Sequence, residues 1–108
     1  MSQRKWMAAA LPALLFAGVS ALQAAGDAAN GKAIFETKCG LCHNADSKDK
    51  KIGPGLKGIK DGKLPSGKDA NHDSLLENIN KGGGGMPAFE KLLSDQEKED
   101  VIAYVLTL

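Results

Sequence analysis

Cys39-Gly40-Leu41-Cys42-His43 decides how the rest of this 108-residue chain is read. Two thiols three positions apart are followed directly by an imidazole. That is the C-x-x-C-H spacing of c-type haem attachment. Thiols at this separation reach the two vinyl groups on one edge of a porphyrin and form thioethers. The next residue, His43, is then held under the iron, where an imidazole nitrogen can ligate it. Three other chemistries use similar residues. A Cys39–Cys42 disulfide suits an oxidising compartment, but it closes a very short loop and gains little from chain entropy. A thioredoxin-like pair needs a βαβ setting, and no β-alternation appears in the sequence. Zinc bound by Cys39, Cys42 and His43 would want a fourth ligand, and His72 is the only other histidine.

Upstream of the motif, the N-terminus has the form of a secretory signal. Arg4 and Lys5 make a positive start, and Met7 to Leu22 carries no charge. Small residues follow at Ala21, Ala24 and Ala25, so cleavage is expected after Ala24, with Ala25 as the alternative. Residues 1–24 are therefore read as a signal peptide and 25–108 as one domain. Retention as a membrane anchor is the competing reading. Trp6 to Leu22 reaches only the short end of the spanning range, and it contains Pro12. Arg4-Lys5 is not a twin-Arg pair, which points to general secretion.

The cleaved chain would hold 12 Lys against 13 Asp plus Glu, with no Arg and no Trp. Near-neutral charge and the lack of any charge run argue against a nucleic-acid partner. Of the large aromatic residues only Phe35, Phe89 and Tyr104 would remain. A domain this short buries a small fraction of its surface and is marginal without help. A haem, a large apolar disc, supplies the missing core.

Asp27 to Lys38 is expected to be a helix capped by Asp27. Asn44 to Lys68 is broken by Gly and Pro and reads as loop, long for a compact domain unless it wraps a cofactor. Ser74 to Lys81 is expected to be a second helix, opened by a Ser74–Glu77 capping box and closed by Gly82. Gly82 to Gly85 then leads into Met86-Pro87. Ser94 to Leu108 is the clearest helix, with a second capping box at Ser94 and Glu97 and apolar Val101, Ile102, Val105 and Leu108 at helical spacing. The class is mainly α: three main helices with long loops around one covalently attached haem.

In this order, the motifs resemble those of class I cytochrome c, in particular the short bacterial kind. The likeness spans essentially all of residues 25–108. It implies that Gly31 lets the C-terminal helix cross the first one closely, and that Phe35 packs on Tyr104. Gly53-Pro54-Gly55-Leu56 is similar to the family's G-P-x-L turn, which implies that the Pro54 carbonyl accepts the His43 N–H and orients the ring. Met86-Pro87-x-Phe89 is similar to the distal-ligand loop, which implies Met86 as the second axial ligand and Leu56 and Phe89 as haem packing. Met86 is the only thioether of the cleaved chain. His72, or an open iron site, is the alternative, although His72 among Asp69, Asn71 and Asp73 suits a solvated or capping role. The Trp and Arg that some relatives use to hold the haem propionates have no counterpart in 25–108, which leaves lysines or backbone N–H groups for that role.

The resemblance implies a soluble periplasmic electron carrier, not an enzyme, in which a His/Met-ligated iron cycles between ferrous and ferric states. Its partners would be redox proteins and its state a monomer, with membrane association only if the signal persists. The enzyme alternative, a haem with an open site that binds a gas or reduces peroxide, would need five-coordinate iron. The structural alternative is a cytochrome subunit of an oxidoreductase complex. Charge is unevenly placed along the chain. Seven Lys face four Asp between Asp46 and Asp69, and two Lys face five acids between Glu90 and Asp100. That pattern suits either two solvated faces or a steering dipole for a partner.

Overall fold

A computed structural model describes residues 25–108. The expected signal peptide lies outside these residues. Among them there are three α-helices and no strands, only isolated bridges at Lys63–Asp69 and Gly83–Met86. No helix of the described residues is long and apolar enough to cross a membrane.

Helix α1 spans Ala28–Lys38. Its Asp27 cap has an extended backbone, and its carboxylate accepts the amide hydrogens of Ala29 and Asn30 at 2.9 and 3.2 Å. Two otherwise unmet donors of the first turn are thereby satisfied. Helix α2 spans His72–Lys81 and helix α3 spans Asp95–Val105. Ser94 and Glu97 close the expected reciprocal box at the start of α3, at 3.1 and 2.8 Å.

α1 and α3 cross at Gly31. A Cβ there would run into the Asp100 carbonyl and stand 2.5 Å from its carbon and 3.0 Å from Tyr104 Cβ. The missing side chain is what lets the two backbones approach. Beside the crossing, Phe35 and Tyr104 meet edge to face, with centroids 5.4 Å apart and planes at 61°, a favourable aromatic geometry. Both features implied by the resemblance are present. Asp100 seals the same contact from α3. It accepts from the Asp27 amide (2.7 Å), Asn30 Nδ2 (2.7 Å) and Gln96 Nε2 (3.0 Å). Burial alone would raise its pKa, but these bonds outweigh it and hold the carboxyl below its usual range.

The core consists of Phe35, Leu75, Val101, Ile102 and Val105. Leu75 brings α2 onto the α1–α3 pair, while Phe89 and Leu93 bury the loop between α2 and α3.

Three expectations need correction. α2 begins two residues earlier than expected, because Asn71 rather than Ser74 caps it. Asn71 Oδ1 accepts the Ser74 amide at 2.9 Å, and Ser74 Oγ accepts the Asn71 amide at 3.0 Å. Glu77 is instead drawn to Lys68 at 2.8 Å. α3 ends at Val105, not Leu108, because the chain end turns away. Thr107 Oγ1 donates to the Tyr104 carbonyl at 2.6 Å, and the Leu108 carbonyl accepts the Gly58 amide at 2.6 Å. The long loop also holds one turn of 3-10 helix at Ile59–Asp61, with Ile59 packed against the core.

Candidate haem site

The motif turn grows directly from the end of α1. The Cys39 and Gly40 amides both donate to the Phe35 carbonyl, at 2.8 and 2.7 Å, and the Cys42 and His43 amides both donate to the Cys39 carbonyl at 3.0 Å. The chain thus folds back within one turn and holds both cysteines and the histidine together. The thiols are not joined by a disulfide. Cys39 is half-buried against the core. Burial, and then the neighbouring Cys42, push its thiol up to about 11. A redox-active pair works through an easily formed thiolate, so this environment opposes the thioredoxin-like reading.

The segment after the motif is fastened to it from several sides. The Gly53 amide donates to the Cys42 carbonyl at 2.7 Å, Lys51 Nζ donates to the Gly40 carbonyl at 2.8 Å, and the Leu56 amide donates to the Asn44 carbonyl at 2.8 Å. Pro54 is thereby placed where its carbonyl meets His43 Nδ1 at 2.8 Å. A carbonyl oxygen only accepts, so Nδ1 carries a proton, and Nε2 is the ring nitrogen left to bind a metal. Gly53 lies against the same ring. A Cβ there would stand 2.6 Å from Cε1 and 2.9 Å from Nδ1. Proline sets the ring's tilt, and glycine leaves the space for it.

Met86 is positioned by α2 and the glycine run. Its amide and the Gly83 amide bond reciprocally to each other's carbonyls, at 3.0 and 2.9 Å. All four glycines have positive φ, and a Cβ at Gly82 would meet the Met86 carbonyl and stand 2.6 Å from Pro87. Only glycine suits such a run. Asn78 Nδ2 donates to Met86 Sδ at 3.6 Å. Thioether sulfur has two lone pairs, so one is engaged here and one is free for a metal. Phe89 is buried and donates its amide to the Ile79 carbonyl at 2.8 Å, which anchors the loop on α2. No hydrogen bond among the described residues joins Met86 to the Cys39–His43 turn.

His72 is placed elsewhere. It opens α2, with Nε2 2.8 Å from Glu99 Oε1 and Nδ1 3.0 Å from Asp73 Oδ1. These bonds, Asp73's first and then Glu99's, raise its basicity. A ring engaged at both nitrogens suits neither a fourth zinc ligand nor an iron ligand.

The residues fit a haem. Leu56, Ile59, Leu64, Leu76 and Ile79 pack on the buried core yet stay only partly covered, an incomplete apolar lining that a porphyrin would finish. A proton-fixed imidazole and a thioether are the donors that such an iron takes. Sequence reasoning missed Asn78, and it saw Gly53 only as part of the G-P-x-L turn. The spacing of Asn78, eight residues before Met86, carries no signal until α2 and the glycine loop bring the pair together.

A helical fold whose first helix runs into a C-x-x-C-H turn, with the imidazole fixed by a following proline carbonyl, defines a c-type cytochrome. Comparisons with known proteins agree. The family model described as "Cytochrome C oxidase, cbb3-type, subunit III" matches residues 26–105. Cytochrome c6 of Synechocystis is 36% identical over 97% of this chain and 88% of its own length. Cytochrome c6 of Rippkaea orientalis is 37% identical over 76% of this chain and 71% of its own. The solved cytochrome c6 of the diatom Phaeodactylum tricornutum superposes with a TM-score of 0.59 at 34% identity, over 76% of this chain and 93% of that one. The chain belongs to the cytochrome c family, as a small monohaem class I c-type cytochrome. It is an electron carrier rather than an enzyme, and it carries one covalently bound haem c.

Proposed function

We propose that this cytochrome is exported to the periplasm, loses residues 1–24 and shuttles single electrons as a monomer between redox proteins. Cys39 and Cys42 form the thioethers, and His43 Nε2 and Met86 Sδ ligate the iron. The observation that carries this is the His43 ring, pinned at Nδ1 by the Pro54 carbonyl with Gly53 leaving it room. When bound, the haem supplies ferrous–ferric cycling, and thioether ligation favours the ferrous side.

The protein's own part is to hold both ligands still in either state. Pro54 and Gly53 do so for His43. Asn78 and the Phe89 anchor on α2 do so for Met86. Leu41 in the motif turn and Ile52 are exposed large apolar residues, and Lys51, next to Ile52, reaches across to the Gly40 carbonyl. This suits contact with a protein partner near the haem edge.

A second reading, a subunit within an oxidase assembly, is favoured by the description of the matching family. Co-purification of this chain with a larger haem complex would support it over the shuttle.

The ligand assignment is tested with Met86→Ala and His72→Ala. Met86→Ala should let the ferrous form bind carbon monoxide and should lower the potential, and His72→Ala should do neither. The reverse pattern would make His72 the ligand. Haem should stay with the boiled, denatured chain. Its release by acid and acetone would overturn the thioether assignment.

A further inference from the structure

Lys98 is a charged side chain in the interior: it is 5% exposed, on the face of α3 that meets the loop after Met86. Its ammonium donates to the Glu90 carbonyl at 2.8 Å. Its nearest carboxylate, Asp95, is 3.8 Å away and fully exposed. Burying an ammonium on one backbone carbonyl and one loose, solvent-exposed ion pair is costly, so the position calls for more than packing.

The loop from Gly82 to Leu93 leaves α2 through four glycines that lend it no stiffness. Near Phe89 it is held by two bonds to different helices. The Phe89 amide bonds the Ile79 carbonyl on α2, and the adjacent Glu90 carbonyl takes Lys98 on α3. α2 and α3 meet mainly through Leu75 in the core and through the His72–Glu99 pair at the start of α2. Lys98 therefore ties the far foot of the Met86 loop to the rigid α1–α3 crossing.

We propose that Lys98 is a positioning residue for the axial thioether. Its ammonium clamps the Glu90 carbonyl and keeps the Met86 loop closed on the iron against competing ligands. This rests on Met86 being the axial ligand. Without the clamp, the loop swings on its glycines and Met86 leaves the iron more often.

The test uses the haem-loaded ferric protein and imidazole as the competing ligand. Displacement is followed by loss of the charge-transfer band of the iron–thioether bond. Lys98→Met keeps the length and removes the donor. It should raise the apparent imidazole affinity on the order of tenfold, the worth of a hydrogen bond to a charged group. Lys98→Arg, which still donates, should restore much of the parent's resistance. Ile102→Val, a core truncation one turn further along the same helix face, removes no bond to the loop and should lower the melting temperature and leave imidazole affinity unchanged.

Equal imidazole affinity in Lys98→Met and parent would overturn the proposal. So would an Ile102→Val variant as permissive as Lys98→Met, because the effect would then be general softness. If the parent has no iron–thioether band at all, the Met86 assignment has failed and the clamp falls with it. If the band is present and only the Lys98 series is flat, the clamp alone has failed.

Discussion

Replacing Gly31 with alanine tests the helix crossing on which the whole site is built. A Cβ at this position would overlap the Asp100 carbonyl and stand 2.5 Å from its carbon. Ordinary carbon–carbon contacts lie at about 3.5–4.0 Å, so α1 and α3 must part by about 1 Å. The atom in the way is backbone and cannot rotate aside. A gap of ~1 Å forfeits up to about half of each dispersion contact across it, including those of Phe35 with Tyr104. The 2.7 Å bonds from the Asp27 amide and Asn30 to Asp100 would stretch out of hydrogen-bond range. Overpacking of this kind costs about 1–3 kcal/mol, and a backbone clash belongs at the upper end. Alanine's better helix propensity returns about 1 kcal/mol. The net loss is about 2 kcal/mol, or roughly 8–16 °C in melting temperature for a domain of this size. Helical circular dichroism of the haem-loaded protein on heating gives the number. Lys32→Ala, at the exposed neighbour on the same helix, should change little. A Gly31→Ala protein that melts at or above the parent would refute the close crossing.

Gly53→Ala should push the His43 ring out of line, because its Cβ would meet Cε1 at 2.6 Å; a lower yield of low-spin haem protein on expression checks this. Asn78→Leu removes a donor from Met86 Sδ and leaves the sulfur more electron-rich, so the potential should fall by roughly 20–40 mV, equivalent to about 0.5–1 kcal/mol. Asp100 has a lowered pKa in the folded state. Its stabilisation is thus present above the ordinary Asp value and is lost as pH falls through the folded one; acid titration of Asp100→Asn should lack that component. His72 is shifted upward, so its contribution is present below the ordinary His value and fades as pH rises through the folded one. His72→Ala should flatten the stability profile there, by a small amount because the ring is half-exposed.

Local chemistry made the helices legible. Ser94 with Glu97, and Asp27 before an Ala-rich segment, each closed as expected because their partners lie within one turn. The α2 start was harder because Asn71, Ser74 and Glu77 are all three apart, and two capping boxes compete. In the fold the Asn71–Ser74 box closes, and Glu77 pairs with Lys68 and Lys81 instead. The motif turn was fully legible, since Cys39, Cys42 and His43 are neighbours in the chain. The roles of Asn78, of Lys98 and of Gly53 against the ring were not. Each depends on a contact whose geometry arises only after α2, α3 and the loops have packed. Lys98 is especially opaque from sequence, because a lysine in the first turns of an acidic helix reads as solvated.

In the proposed function, one imidazole and one thioether hold the iron. The optical spectrum of the ferric parent protein tests it most directly. A low-spin spectrum with the weak red charge-transfer band of an iron–thioether bond, lost in Met86→Ala and kept in His72→Ala, is the predicted result. A parent spectrum that lacks this band, whether high-spin or bis-imidazole, would contradict it.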